Sequence, residues 1–331
     1  MKARHLFVQI LAVLVALPLV GTAARGATIE VLETFDYPGA FATQPQKIND
    51  HGVIAGVFID SATGATEGFY RSRNGTFSGP VVDPNDDAAL TQLRGVNNRR
   101  TFCGNYNTSD GISHGFFLSH QVFTEFDASS SFTVVLGINN AGDFSGSFVN
   151  DSSGVQEGFV DIGGVLINFA VPVATNTLAY QTNSSNEATG YYIDGSDGLT
   201  HGYQRDSGGT LTFPIDPAGS VGTILFGNND SNWVVGRYAD AAGITHGIFF
   251  ITPGDFTIFD YPGSTFTSLN GINSRGFICG RYTDSSGFDH GFLAKVNVHE
   301  TTPPNRNKIV TPAAKPVTPK PEVSRIAVPA S

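Results

Sequence analysis

Apolar and polar positions in this chain alternate in short runs closed by Gly, Asn, Asp or Pro, as in Leu269-Asn270-Gly271-Ile272-Asn273 and Phe277-Ile278-Cys279-Gly280-Arg281-Tyr282. Alternation with a period of two is the mark of a β-strand with one buried face. The runs themselves recur. An Asn stands at positions 49, 97, 139, 183, 229 and 273, and seven residues after each comes a Gly, at 56, 104, 146, 190, 236 and 280. Two residues past each Gly is an aromatic: Phe58, Tyr106, Phe148, Tyr192, Tyr238 and Tyr282. Ten or eleven residues past that Gly comes a Glu-Gly or His-Gly pair and then, mostly, another aromatic. The triplets are Glu67-Gly68-Phe69, His114-Gly115-Phe116, Glu157-Gly158-Phe159, His201-Gly202-Tyr203, His246-Gly247-Ile248 and His290-Gly291-Phe292, spaced by 47, 43, 44, 45 and 44 residues.

Each unit holds four strand-like runs, and four strands in about 45 residues is the size of a β-propeller blade. The first run ends at the Asn. A tight turn follows, whose last residue is Gly52, Arg100, Gly142, Asn186, Asn232 or Gly276. Gly and Asn are expected where φ is positive, so Arg100 is predicted to be strained or to sit in a different turn. The sixth copy stops after its third strand, while Phe35-Asp36-Tyr37-Pro38-Gly39 near the start repeats the fourth-strand segment Phe259-Asp260-Tyr261-Pro262-Gly263. The sequence therefore predicts an all-β, six-bladed propeller over residues 28–298 whose N-terminal strand completes the last blade. A right-handed β-solenoid is the competing architecture. It leaves the displaced strand unexplained and its own sheet edges open.

Composition changes the picture at the two ends. Residues 1–27 read as a signal peptide: Lys2 and Arg4 precede an apolar run from Leu6 to Val20, and small residues follow. The run is shorter than the ~20 residues of a membrane-spanning helix, so cleavage and a secreted or periplasmic location are expected, with no membrane span remaining. Residues 299–331 hold seven of the 17 prolines and read as a disordered tail. The net charge is −10, and each end contributes +3, which leaves −16 on residues 28–298. So acidic a body excludes a nucleic-acid partner bound through phosphates. The basic tail suits a spacer, or contact with an anionic cell-surface polymer.

The triplets and the Gly- and Asn-rich repeat resemble those of the extracellular HAF repeat proteins, named for a His-Ala-Phe triplet in a repeat of similar length. The resemblance covers essentially all of residues 28–298. It departs at the middle residue, which is Gly here, and at Glu67 and Glu157, which replace His. It implies a repeat fold and export, and carries no activity.

Candidate chemistry is sparse. The positions Glu67, His114, Glu157, His201, His246 and His290 resemble a metal ring, but each shares a strand face with the residue two further on, an aromatic in every copy except Ile248. They are therefore predicted to be structural, with ring nitrogens bonded to backbone groups of the neighbouring blade. Asp60, Asp194, Asp240 and Asp284 recur in loops between second and third strands and are weak calcium candidates, since calcium takes six to eight oxygens. An Asp among Ser and Gly is more often a self-bonding turn, and no other cofactor is indicated. Cys103 and Cys279 fill a small-residue slot in copies two and six, too far apart in a ring to bridge, so free buried thiols are predicted. Trp233, the sole Trp, sits beside a turn, where an exposed Trp marks a contact site or, more often, is accidental. No nucleophile elbow, zinc signature or phosphate loop is present.

Three functions fit these observations. A binding or scaffold module for an extracellular ligand or cell-surface polymer is favoured, using the face of second-to-third and fourth-to-first loops. The alternative is an extracellular hydrolase or lyase acting on a polymer such as a polysaccharide, which would gather residues that break the repeat at the mouth of the central channel. The third is a wall component tethered by the tail.

Overall fold

In the computed structural model, which describes residues 25–300, the runs read from the sequence are strands, and among the described residues there is no helix. The strands group in fours. Blade 1 consists of Ala40–Ile48, Ile54–Asp60, Thr66–Arg71 and Phe77–Val81, each antiparallel to the next. Blades 2 to 5 repeat that order, starting with inner strands Thr91–Val96, Thr133–Ile138, Ala174–Thr182 and Ser220–Asn228. Blade 6 takes Phe266–Ile272, Phe277–Thr283 and Asp289–Glu300 from the end of the chain. Its outer strand is Arg25–Phe35 from the beginning, paired with Asp289–Glu300. The protein is a six-bladed β-propeller closed by its N-terminal strand.

The signal segment expected at 1–27 and the tail expected at 299–331 lie outside the described residues, apart from their inner margins. The outer pair of blade 6 has eleven and twelve residues, so its strands include Arg25 to Ala27 at one end and His299 and Glu300 at the other.

The repeated glycines follow from how closely the strands pack. A Cβ on Gly104 would lie 1.9 Å from the Gln92 carbonyl oxygen and 2.9 Å from the Phe116 ring, and Gly56, Gly146 and Gly280 are crowded in the same way by Phe69, Phe159 and Phe292. The third-strand residue of the triplet is the one that covers this Gly, and all six such residues are fully buried. Each is worth about 1.5–3 kcal/mol in burial. The Gly inside the triplet serves the joint between blades. Leu93 of blade 2 seats on Gly68 of blade 1, Leu225 on Gly202, Leu269 on Gly247, and Pro45 on Gly291 where the ring closes.

The repeated Asn joins the blades. The Oδ1 of each accepts the backbone N–H groups two and four residues on, all at 2.9 or 3.0 Å, which shapes the turn after the inner strand. Its Nδ2 donates to the backbone carbonyl of the corresponding Asn in the next blade. The chain of donors runs from Asn49 to Asn97, Asn139, Asn183, Asn229 and Asn273 and back to Asn49, with distances between 2.9 and 3.2 Å. All six residues are buried. Closure at Asn273 to Asn49 is chemically identical to the other five links.

A recurrent Thr escaped the sequence reading. Thr43, Thr91, Thr133, Thr177, Thr223 and Thr267 stand six residues before each Asn and are all buried. In five blades the hydroxyl accepts a backbone N–H from the loop arriving from the previous fourth strand, at Tyr37, Asp83, Ala128, Val171 and Tyr261. The sixth loop has Pro217 at that place, which has no N–H to donate.

Replacing Asn97 by Ala removes three hydrogen bonds at ~1 kcal/mol each, one of them from a buried carbonyl. Denaturant titration should show a loss of about 3 kcal/mol. Asn97→Asp keeps both turn bonds but sets a carboxylate against the Asn139 carbonyl, so it should cost at least as much at neutral pH and less once the carboxyl is protonated. Losses under ~1 kcal/mol for both variants would contradict the role given to the ring.

Candidate functional site

The structure places the six Glu and His positions one to a blade and gives five of them hydrogen-bond partners of their own; burial and the charges of Asp60 and Asp86 instead raise the pKa of Glu67. His114, His201, His246 and His290 donate through Nδ1 to Asp127, Asp216, Asp260 and Asp36 at 2.7–3.0 Å. Each of these Asp residues immediately follows the fourth strand of the same blade. The predicted bonds to backbone of the neighbouring blade are therefore corrected: the His sits at the solvent rim of its own sheet, where a carboxylate reaches it. The imidazole lies against the second-strand tyrosine, with centroid distances from 4.9 to 5.4 Å for Tyr106, Tyr192, Tyr238 and Tyr282. The two Glu blades fit the same rule. The position that is Asp in the His blades is Val82 in blade 1 and Ala170 in blade 3, so a His there would lack its acceptor. Glu157 instead accepts from Asn150 and Asn168, at 3.0 and 2.5 Å.

The loop aspartates turn inward on their own loops. Asp60 accepts from the N–H groups of Ala62 and Thr63, Asp194 from the hydroxyl and N–H of Ser196, Asp240 from the N–H groups of Ala242 and Ile244, and Asp284 from those of Ser286 and Phe288. Those bonds hold all four carboxyls below their usual range. Donors aimed at a carboxylate build an Asx turn, whereas a calcium shell needs oxygens aimed at a common point. The second oxygen of Asp240 and Asp284 faces the Nε2 of His246 and His290 at 3.4 Å, and Asp197 takes this part for His201. Among the described residues, one group of three possible metal ligands is close enough to share an ion: His114, Glu125 and Asp127. Glu125 there accepts from the Tyr106 hydroxyl at 2.6 Å, and Asp127 is taken by His114.

Cys103 and Cys279 are free and buried, as the ring geometry predicts. Burial pushes both thiols up to about 12, which keeps them protonated and unreactive. Trp233 is not an exposed contact residue. It is half-buried, edge-on to Phe249 with centroids 5.8 Å apart.

A groove opens between blades 1 and 2, with a volume of about 600 Å³. Tyr70, Phe102 and Phe123 supply its aromatic wall, and Arg99, Arg100, His120 and Gln121 its polar rim. The Tyr70 and Phe102 rings are 5.0 Å apart, and the Arg100 guanidinium is 6.0 Å from the Tyr70 ring. The rim comes from the first-to-second and third-to-fourth turns, which lie on the opposite face from the loops expected to bind. Backbone strain concentrates here. Arg100 keeps the same Asx turn as its equivalents and is forced to a φ of 61°, while His120 and Gln121 have φ of 51° and 66°. Blade 3 makes the latter turn with Gly163 and Gly164. Sequence reading singled out Arg100 but missed His120 and Gln121, whose signal was the contrast with that Gly-Gly pair.

No family model and no curated protein matches the sequence. Among solved structures, the chain is similar to the six-bladed fucose-recognising lectin of Aleuria aurantia, with 13% identity and a TM-score of 0.47 over 84% of this chain and 100% of the lectin. The β-propeller domain of the Trilobed protease from Pyrococcus furiosus, described as an open velcro topology, gives 9% identity and a TM-score of 0.44 over 79% of this chain and all of that domain. A subtype N11 neuraminidase-like protein of a flat-faced bat influenza A virus gives 12% and 0.45 over 86% and 96%. Likenesses this distant say nothing of ligand or chemistry, and the fold assignment rests on the strand pairing itself.

Burial disfavours the charged form of His201, but the hydrogen bond and charge of Asp216, aided by Asp197, outweigh it and raise its pKa. A raised folded-state pKa stabilises fully below the unfolded imidazole value of about 6.5 and fades as pH rises through the folded value. The stability difference between wild type and Asp216→Asn should thus be largest near pH ~6 and shrink as the pH rises above the unfolded value. A difference that grows with pH would refute the pairing.

Proposed function

We propose that the protein is an exported binding module that seats a saccharide in the groove between blades 1 and 2. The carrying observation is the strain at its rim. Six non-glycine residues among those described have positive φ, and three of them, Arg100, His120 and Gln121, line this groove. Two of the other three are Asn186 and Asn232, a residue type that tolerates the conformation. A backbone strained where five sibling turns use Gly or Asn points to side chains kept for contact with a ligand. The groove's size is that of a small-molecule site, its aromatic wall suits the C–H face of a sugar ring, and its planar polar rim suits hydroxyl groups. Among the described residues its lining holds no carboxylate. Hydrolysis of a glycoside by paired carboxylates has no residues to use there, which favours binding over turnover.

Arg100→Gly relieves the strained turn and removes the rim guanidinium. It should raise unfolding stability by about 1 kcal/mol and weaken saccharide binding at least tenfold, measured by calorimetry on the best ligand from a glycan array. A wild-type protein that binds no saccharide, or a variant that binds undiminished, would overturn the proposal.

A further inference from the structure

The central channel is the second place where the repeat breaks, as the sequence suggested for a site at its mouth. Its wall takes the side chain three residues before each ring Asn and the one after each repeat Gly. Most are apolar or neutral, among them Leu136, Tyr180, Phe226, Val57 and Ser147. Three are arginines: Arg94 on the inner strand of blade 2, and Arg237 and Arg281 on the second strands of blades 5 and 6. They come from three different blades yet line one axial cavity of about 130 Å³. All three are half-buried and present part of their surface to this cavity.

Their charge is poorly compensated. Arg281 is bonded to Asp289. Arg94 reaches the amide oxygens of Gln92 and Gln46, and its Nε is buried with no partner. Arg237 lies 5.3 and 5.1 Å from the Phe226 and Phe266 ring centres and, among the described residues, has no hydrogen-bond acceptor. Lys47 adds a fourth cation, its Nζ donating to the Phe226 carbonyl at 2.7 Å. Among the contacts of these four cations the one carboxylate is Asp289, bonded to Arg281, in a body that is otherwise strongly acidic. Burial, with Arg281 nearby, lowers Arg237 to about 10, and burial lowers Lys47 to about 8. Cations held together without counter-charge are costly, and guanidinium forks match the paired oxygens of an oxyanion.

We propose that this axial cavity is an oxyanion site, in which Arg94, Arg237 and Arg281 hold the carboxylate or sulfate group of a small ligand. It is separate from the inter-blade groove and does not depend on it. Binding is read as a saturable rise in melting temperature of the full chain with sodium sulfate, acetate or glucuronate, against sodium chloride at equal ionic strength. All three anions should stabilise the wild type; a stronger response to glucuronate assigns the oxyanion to a sugar acid, and equal responses assign it to free ions. Arg237→Met should lose at least tenfold in anion affinity. It should be no less stable than wild type in anion-poor buffer, because it removes an uncompensated cation of similar shape. Arg94→Gln should show the same loss. No anion-specific rise in the wild type, or equal rises in both variants, would overturn the site.

Discussion

The fold depends on one side chain used six times. A primary amide is both acceptor and donor, and each ring Asn directs its two ends to different tasks. The acceptor end fixes the turn after its own inner strand, and the donor end fixes the distance to the next turn. Ser or Thr would lack reach, and Asp would lack the donor. Because each link ends on the next link's backbone, the last is the same bond as the first, and the circle has no weakest joint built into its chemistry. Packing repeats the same logic one layer out, where bare glycine surfaces receive an aromatic ring from the same sheet and an aliphatic side chain from the next.

This explains what could be read from the sequence. Periodic features were legible because they are local and recur: Asn, Gly, aromatic, and the stray Phe35-Asp36 segment that announces closure. The His–Asp pairs were harder, since His290 and Asp36 are 254 residues apart. Their signal was present in the repeats, in that His is found where Asp follows the fourth strand and Glu where it does not. Thr43 and its five equivalents recur as regularly as the Asn residues, and were overlooked beside the more chemical histidines. Neither candidate site was legible as a cluster, although Arg100 stood out in its turn. A groove between blades 1 and 2 and a cluster from blades 2, 5 and 6 both need the ring in three dimensions before their residues become neighbours.

Symmetry also separates structure from chemistry. Features that recur from blade to blade, including the four His of the tempting rim and Glu157, are accounted for by hydrogen bonds and stacking within that blade. Features found once carry unresolved cost: left-handed Arg100, His120 and Gln121 at one groove, and uncompensated Arg94 and Arg237 in the channel. Such costs persist in a repeat that holds cheaper alternatives at the same positions, which is why function is sought in the exceptions.

Native-state hydrogen exchange, read amide by amide, bears most directly on the ring. The N–H groups of Val53, Thr101, Asp143, Glu187, Trp233 and Phe277 each donate to a ring Asn Oδ1. If the six links form one cooperative circle, these amides exchange only through global unfolding and share a single free energy. One of them exchanging at a clearly lower free energy, while the other five stay protected, would contradict it.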